Sequence, residues 1–201
     1  IIVLAACFFP ALHFCSAAEP ETSESDGAFK KFASSVKPPV LRVPCLDKSP
    51  EIDGRLDKLY LEKASPITLK YLNGSKRKPV NPTTGYILSD KENLYIIAVC
   101  QTPFPDAVLA KKRRRDSSVW NDEVVELFID PSNMRQDLYF QLGVNLIGTT
   151  FDARNRNDTT WNPDLAVGTS KKKKEKPRAW IMEIKIPFKD LVDDPKNFNI
   201  I

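Results

Sequence analysis

Between Ile67 and Ile186 the apolar residues come in short bursts, and nearly every gap between bursts holds Gly, Pro, Asn or Asp. The bursts run over Ile67–Tyr71, Thr83–Leu88, Leu94–Cys100, Val119–Asp130, Leu138–Thr150, Leu165–Thr169 and Ala179–Ile186. They are rich in β-branched and aromatic residues and closed off by turn formers, which is how strands are written. The pattern predicts an all-β chain folded as an antiparallel β-sandwich, two sheets in a jelly-roll or immunoglobulin-like architecture. Ahead of these strands, Val40–Val43 is expected as one more. After the Ile52-Asp53-Gly54 turn, Leu56, Leu59 and Tyr60 stand at helical spacing, with Asp53 placed to cap the helix and Ser65-Pro66 to end it.

Parity says which faces are covered. Leu94–Cys100 is apolar on both parities, as in a strand buried on both sides. From Leu138 to Leu146, Phe140, Leu142, Val144 and Leu146 are dry, while Tyr139, Gln141, Gly143 and Asn145 are polar or small. In the stretch VWNDEVVELFID, Val125, Leu127 and Ile129 share the dry parity, and Trp120, Asp122, Val124, Glu126, Phe128 and Asp130 share the other. Residues 131–137 are long enough to turn this strand into the next as a hairpin, which sets Glu126 beside Gln141 or Gly143. An acidic and amide-rich face with an aromatic at its edge suits a sugar: hydroxyls need fixed donors and acceptors, and the ring's C–H face stacks on an indole. On a straight strand Trp120 would stand about 20 Å from Glu126 at ~3.3 Å per residue, so Trp120 is expected on a loop that curls back, as Asn121 and Asp122 permit.

The chain has 201 residues, 42% of them hydrophobic and 28% charged, enough for one domain with a core of its own. Residues 1–18 carry no charge, are too short for a membrane span and end in small residues, so they are read as a secretory signal. Residues 19–37 form a polar linker and 38–201 the folded domain. The product is then secreted or periplasmic. A lipid anchor at Cys7, in Leu4-Ala5-Ala6-Cys7, is the lesser alternative, because the apolar run continues where a polar tether belongs. Ile1 is not an initiator methionine, and an N-terminally cut chain is expected. Cys45 and Cys100 survive signal removal, and whether they pair is left open.

The sole histidine, His13, lies inside the leader, so the mature chain offers no imidazole base, no Ser-His-Asp arrangement and no His-ligated metal. Haem is not expected either, since Met134 and Met182 alone would be unusual axial ligands. The net charge of +4 comes with two basic runs, Lys111–Arg115 and Lys171–Lys176. Neither is interleaved with aromatics for base stacking, so both are read as solvated loop tips and no nucleic acid is expected.

At these residues the chain resembles the family 9 carbohydrate-binding modules and their broader relatives. The matching pieces are Ile52-Asp53-Gly54, Leu94-Tyr95, Trp120 to Asp130, Gln141-Leu142-Gly143-Val144-Asn145, and Trp180 to Phe188, spanning about Pro38 to the end. The resemblance implies a β-sandwich in which a first tryptophan stacks on a sugar opposite a second, with the strand glutamate and the Arg and Asn of the next strand binding hydroxyls. It implies that calcium ions can be structural. Trp120, Glu126, Gln141 and Asn145 fill matching positions. Gly143 stands where the family's arginine would be. The second tryptophan would lie beyond Ile201, and Phe198–Ile201 resembles the start of a further strand, so closing strands are expected outside this sequence.

Each candidate has a plainer reading beside it. Trp180 alternates with Met182, Ile184 and Ile186 and is expected in the core; Trp161 is equally a sugar platform or a cover; Glu126 could pair with a cation across the sheet. Asp122 and Asp130 offer hard oxygens for Ca²⁺, without any EF-hand spacing. The expected function is non-catalytic carbohydrate binding, through Trp120, Glu126, Gln141, Asn145 and Trp161, as an accessory to carbohydrate catabolism with a poly- or oligosaccharide as partner. The alternatives are a structural ectodomain without sugar affinity, or part of a glycoside hydrolase polypeptide with the catalytic domain fused beyond residue 201. A glycosidase built from Asp122 or Glu123 with Glu126 would need carboxyls ~5–5.5 Å or ~6.5–9.5 Å apart.

Overall fold

The computed structural model describes the backbone of residues 2–7 and all of residues 40–70, 77–131, 139–155, 158–174 and 176–191. The strands lie in one compact unit made of Ile1–Phe9 and Val43–Ile201; of the other unit, Pro10–Arg42, the described residues 40–42 have no regular structure. The strands are β1 (Ile2–Cys7), β2 (Ile67–Thr68), β3 (Thr83–Ser89), β4 (Asn93–Gln101), β5 (Val124–Ile129), β6 (Phe140–Asn145), β7 (Thr150–Arg154), β8 (Ala166–Lys172) and β9 (Ala179–Pro187). They form two wholly antiparallel sheets, one ordered β1-β5-β6-β7 and the other β2-β3-β4-β9-β8. The all-β, two-sheet sandwich expected from the strand pattern is the fold of the chain.

The core follows the parities read from the sequence. On the five-stranded sheet, Ile87, Leu94, Ile96, Ala98 and Cys100 line up with Trp180, Met182, Ile184 and Ile186 on one face, all buried. Tyr95, Ile97 and Ile181 lie on the opposite face, packed under Leu46, Tyr60 and Ala64, with Ile52, Leu56 and Leu59 at the margin. That second layer explains why β4 is apolar on both parities. On the other sheet Val125, Leu127, Leu142 and Val144 are buried, as their dry parity requires.

The covering layer is held by a buried carboxylate. Glu183 of β9 accepts hydrogen bonds from the N–H groups of Asp53 (3.1 Å) and Gly54 (3.0 Å) and from the Tyr60 hydroxyl (2.8 Å). Gly54 sits at φ +76°, and a Cβ on it would come within 2.5 Å of the Thr169 nitrogen on β8. Only glycine permits this approach. The Ile52-Asp53-Gly54 turn is thus clamped between β8 and β9, which carries helix α1 (Lys58–Lys63) onto the sheet.

Local departures have local causes. Val40–Val43 forms no strand, and an isolated bridge between Cys45 and Ser89 follows it. The N-cap of α1 is Asp57, and the Asp53 carboxylate instead accepts the Arg55 N–H in a local turn. The run Leu138–Thr150 is two strands, because Gly148 at φ +76° lets the backbone fold back at Leu146–Gly148. Val119–Asp130 opens with a 3-10 turn, Val119–Asn121, before β5 begins. Cys45 is exposed and Cys100 buried, and both are free, so the two do not form a disulfide. Ile2–Cys7, inside the stretch read as a signal, pairs along β5 with Ala5 opposite Glu126. The whole of the expected linker, residues 19–37, the connection after Pro131 and the segment after Leu191 fall outside the described residues.

Candidate functional site

The site is built on one face of β5, β6 and β7. In the antiparallel register Glu126 is opposite Gly143, Phe128 opposite Gln141, and Val124 opposite Asn145. Gly143 is in turn opposite Phe151. Directly paired residues point the same way, so Glu126, Phe128, Gln141 and Phe151 share a face. As expected, Glu126 has Gly143 as its ladder partner and Gln141 as its side-chain neighbour: Gln141 Nε2 donates to Glu126 Oε1 at 2.6 Å. Glu126 is half-buried, and burial raises its carboxyl above the usual range while the Gln141 amide pulls it back.

The loop before β5 does curl back. Trp120, on the 3-10 turn, lies over Gly143 with Cζ3 3.2 Å from where a Cβ would stand, and meets Phe151 edge-on with centroids 4.7 Å apart. A second ring pair, Phe128 and Tyr139, lies at 5.6 Å beside Gln141. Glu126 and Gln141 therefore sit between two aromatic pairs, and all six side chains are half-exposed. Gly143 and Gln141 are two residues apart on β6, about 7 Å at strand rise, which is the scale of one pyranose ring. Phe128, Tyr139 and Phe151 were not singled out from sequence, although their parity with Glu126 and Gln141 was there to be read for the first two.

Two other expected site residues serve elsewhere. Asn145 is 0% exposed and fully engaged: Nδ2 donates to the Lys112 carbonyl (2.9 Å) and to Asp122 Oδ2 (2.9 Å), and Oδ1 accepts from the N–H groups of Ile147 (3.2 Å) and Thr149 (2.9 Å). With its amide committed on both sides it holds the loop rather than offering bonds to a ligand. Trp161 is 8% exposed, packs on Phe140 at 4.6 Å and donates its indole N–H to the Asp190 carbonyl at 2.9 Å. It is a cover, not a platform.

The calcium candidates fare similarly. Asp122 Oδ2 accepts from the Lys112 N–H (2.7 Å) and from Asn145 Nδ2 (2.9 Å). Asp130 is buried at the end of β5, and among the described residues no group of three or more His, Cys, Asp or Glu comes together to hold a metal ion. The two carboxylates weighed as partners of Glu126 in a glycosidase have protein neighbours of their own. Asp122 is held in the loop network, and Glu123 is near enough to the buried Cys100 thiol to help raise it to about 12, after the larger effect of burial.

The loop carrying Trp120 is tied down by its own basic run. Beyond the Lys112 bonds, Arg115 grips Asp152 of β7 with Nε to Oδ1 and Nη2 to Oδ2, both 2.8 Å, and Asp152 is 0% exposed. Asp116 follows at φ 59° and donates its N–H to the Thr150 carbonyl at 3.0 Å. The run is a solvated loop, as expected, with Lys111, Arg113 and Arg114 exposed, and it is anchored by Asn145 of β6 and Thr150 of β7. No helix among the described residues is long and apolar enough to cross a membrane.

The sequence matches the family described as "Carbohydrate family 9 binding domain-like" over residues 52–200. Among solved structures, a carbohydrate binding module family 9 from Caldicellulosiruptor kristjanssonii in complex with cellotriose is 20% identical, with 73% of this chain and 67% of that chain covered and a TM-score of 0.47. The module from the same organism in complex with glucose is 20% identical, with 72% and 66% covered and a TM-score of 0.46. A "putative carbohydrate-binding protein" from Bacteroides uniformis ATCC 8492 is 16% identical, with 75% and 72% covered and a TM-score of 0.53, a likeness of fold. No curated protein matches the chain.

Proposed function

The chain belongs to the carbohydrate family 9 binding domain-like family, and from that premise we propose that it binds a saccharide, without transforming it, on the face of β5 and β6. The observation that carries this reading is the Glu126–Gln141 pair set between Trp120–Phe151 on one side and Phe128–Tyr139 on the other. A carboxylate accepts bonds from two adjacent hydroxyls, the amide supplies a donor and an acceptor, and flanking rings offer apolar surface to sugar C–H groups. Partial burial strengthens each polar bond by limiting competition from water.

The module acts outside the cytoplasm as an accessory to carbohydrate breakdown, with any catalytic domain carried elsewhere in the polypeptide; loss of residues 1–18 as a leader takes β1 off the edge of β5 and leaves the site face on β5, β6 and β7. Intrinsic fluorescence tests the site: saccharide at the Glu126 face changes the emission of Trp120, and Trp120→Phe abolishes the change. A folded protein whose emission is indifferent to every mono- and oligosaccharide offered would instead support a scaffold without sugar affinity.

A further inference from the structure

We propose that the saccharide is an anionic one, a polysaccharide carrying uronate or sulfate groups, held by the basic loop beside Trp120; this deepens the sugar-binding reading and rests on it. The backbone of that loop is fixed at three points, by Asp122 on the Lys112 N–H, by Asn145 and Thr149 on the Lys112 carbonyl, and by the Thr150 carbonyl on the Asp116 N–H, and the Arg115 side chain is held by Asp152. Fixing the backbone leaves the neighbouring side chains presented. Lys111, Arg113 and Arg114 are exposed, and no acidic side chain among the described residues pairs with them.

The position is close to the sugar face. Asn145, which holds Lys112, is two residues along β6 from Gly143, the seat of Trp120, about 7 Å away at strand rise. The second basic run is tied to the chain ahead of this loop. Lys173 and Lys171 approach Asp106 at 2.7 and 3.7 Å, and Asp106 precedes Lys111 by five residues, at most about 17 Å of chain. Lys174 is exposed beyond them. The basic loop therefore stands beside a face that offers aromatic rings, one amide and one carboxylate.

The chemistry selects among polyanions. A guanidinium matches the two oxygens of a carboxylate or sulfate in fork geometry. Glu126 accepts hydroxyl protons yet repels a continuous line of charge, so it favours a ligand whose charges are spaced and separated by hydroxyls. A nucleic acid strand carries a phosphate at every nucleotide, the continuous line of charge that Glu126 opposes.

The test is calorimetric titration of the full chain with an oligogalacturonate, its methyl-esterified neutral counterpart, a sulfated galactan oligomer, a cello-oligosaccharide and a single-stranded oligonucleotide, in low and high salt. The acid or the sulfate ester is expected to bind about tenfold tighter than the neutral ester, the combined effect of two or three exposed ion pairs. Added salt and the Arg113→Glu/Arg114→Glu variant should each erase that advantage, and the better of the two charged sugars identifies the group. Acid and sulfate ester that both bind no tighter than the neutral ester, or an unchanged affinity in the variant, overturn the anionic proposal and leave sugar binding standing. Tighter binding of the oligonucleotide than of any saccharide overturns it in favour of nucleic acid. If no saccharide binds, the sugar-binding reading falls first and this proposal with it.

Discussion

Gly143 is the floor on which Trp120 rests: a Cβ at position 143 would stand 3.2 Å from Trp120 Cζ3 and 3.1 Å from Val119 Cγ2. Where the family resemblance implies an arginine, the indole has taken the space. Gly143→Arg is therefore expected to lift Trp120 off the sheet and to cost about 1–3 kcal/mol through overpacking. Trp161 and Trp180 are buried, so acrylamide quenching reports mainly on Trp120 and should rise in the variant. Unchanged quenching would mean the indole does not use this seat.

Glu183 carries the layer over the five-stranded sheet. Its removal in Glu183→Ala leaves the N–H groups of Asp53 and Gly54 and the Tyr60 hydroxyl without their acceptor, and each buried unpaired donor costs about 1–3 kcal/mol. A loss of about 3 kcal/mol or more is expected by urea denaturation, against about 1.5–3 kcal/mol for Tyr60→Phe, which deletes one bond to the carboxylate.

Arg115 and Asp152 form the anchor between the basic loop and β7. Asp152 is wholly buried while Arg115 is partly exposed, so removing the arginine strands a buried charge. Arg115→Ala is expected to cost about 3 kcal/mol, the lower end for a broken buried pair. Arg115→Ala/Asp152→Ala should recover part of that loss, which a double-mutant cycle in thermal denaturation would read.

Acid should weaken the fold partly through Asp90. Burial alone would raise its carboxyl, but the Tyr95 hydroxyl, the N–H of Glu92, Ser49 and Asn93 outweigh burial and hold it at about 2, below the ordinary 3.8. A depressed carboxyl contributes stability that is complete above about 3.8 and is lost as pH falls toward about 2. Asp90→Asn is expected to flatten the stability profile across that window, measured by denaturation at a series of pH values.

Alternation carries most of what the sequence reveals. Val125, Leu127 and Ile129 against Glu126 and Phe128 gave the faces of β5, and the same alternation in β6 set Glu126 beside Gln141, as the register bears out. Trp180 was placed in the core by the same rule and is 1% exposed. Partners distant in sequence are what alternation does not reveal. Nothing near Asn145 announces that Lys112, 33 residues earlier, would occupy its amide, nor near Trp161 that Asp190 would accept its indole N–H. Glu183 was visible within the Trp180–Phe188 match, but its role depends on a turn 129 residues away. Turns were underread too, since Gly148 splits one expected strand into β6 and β7.

The central claim is that a sugar occupies the face of Glu126 and Gln141 beside Trp120. Isothermal titration of the full chain with a panel of neutral and charged mono- and oligosaccharides, repeated with Trp120→Ala and Glu126→Gln, tests it most directly. The account predicts saturable heat with at least one saccharide, a loss of affinity of about tenfold or more in each variant, and little change in melting temperature for Glu126→Gln. Binding that survives both substitutions unaltered, or a folded wild-type protein that gives no heat with any sugar, would contradict it.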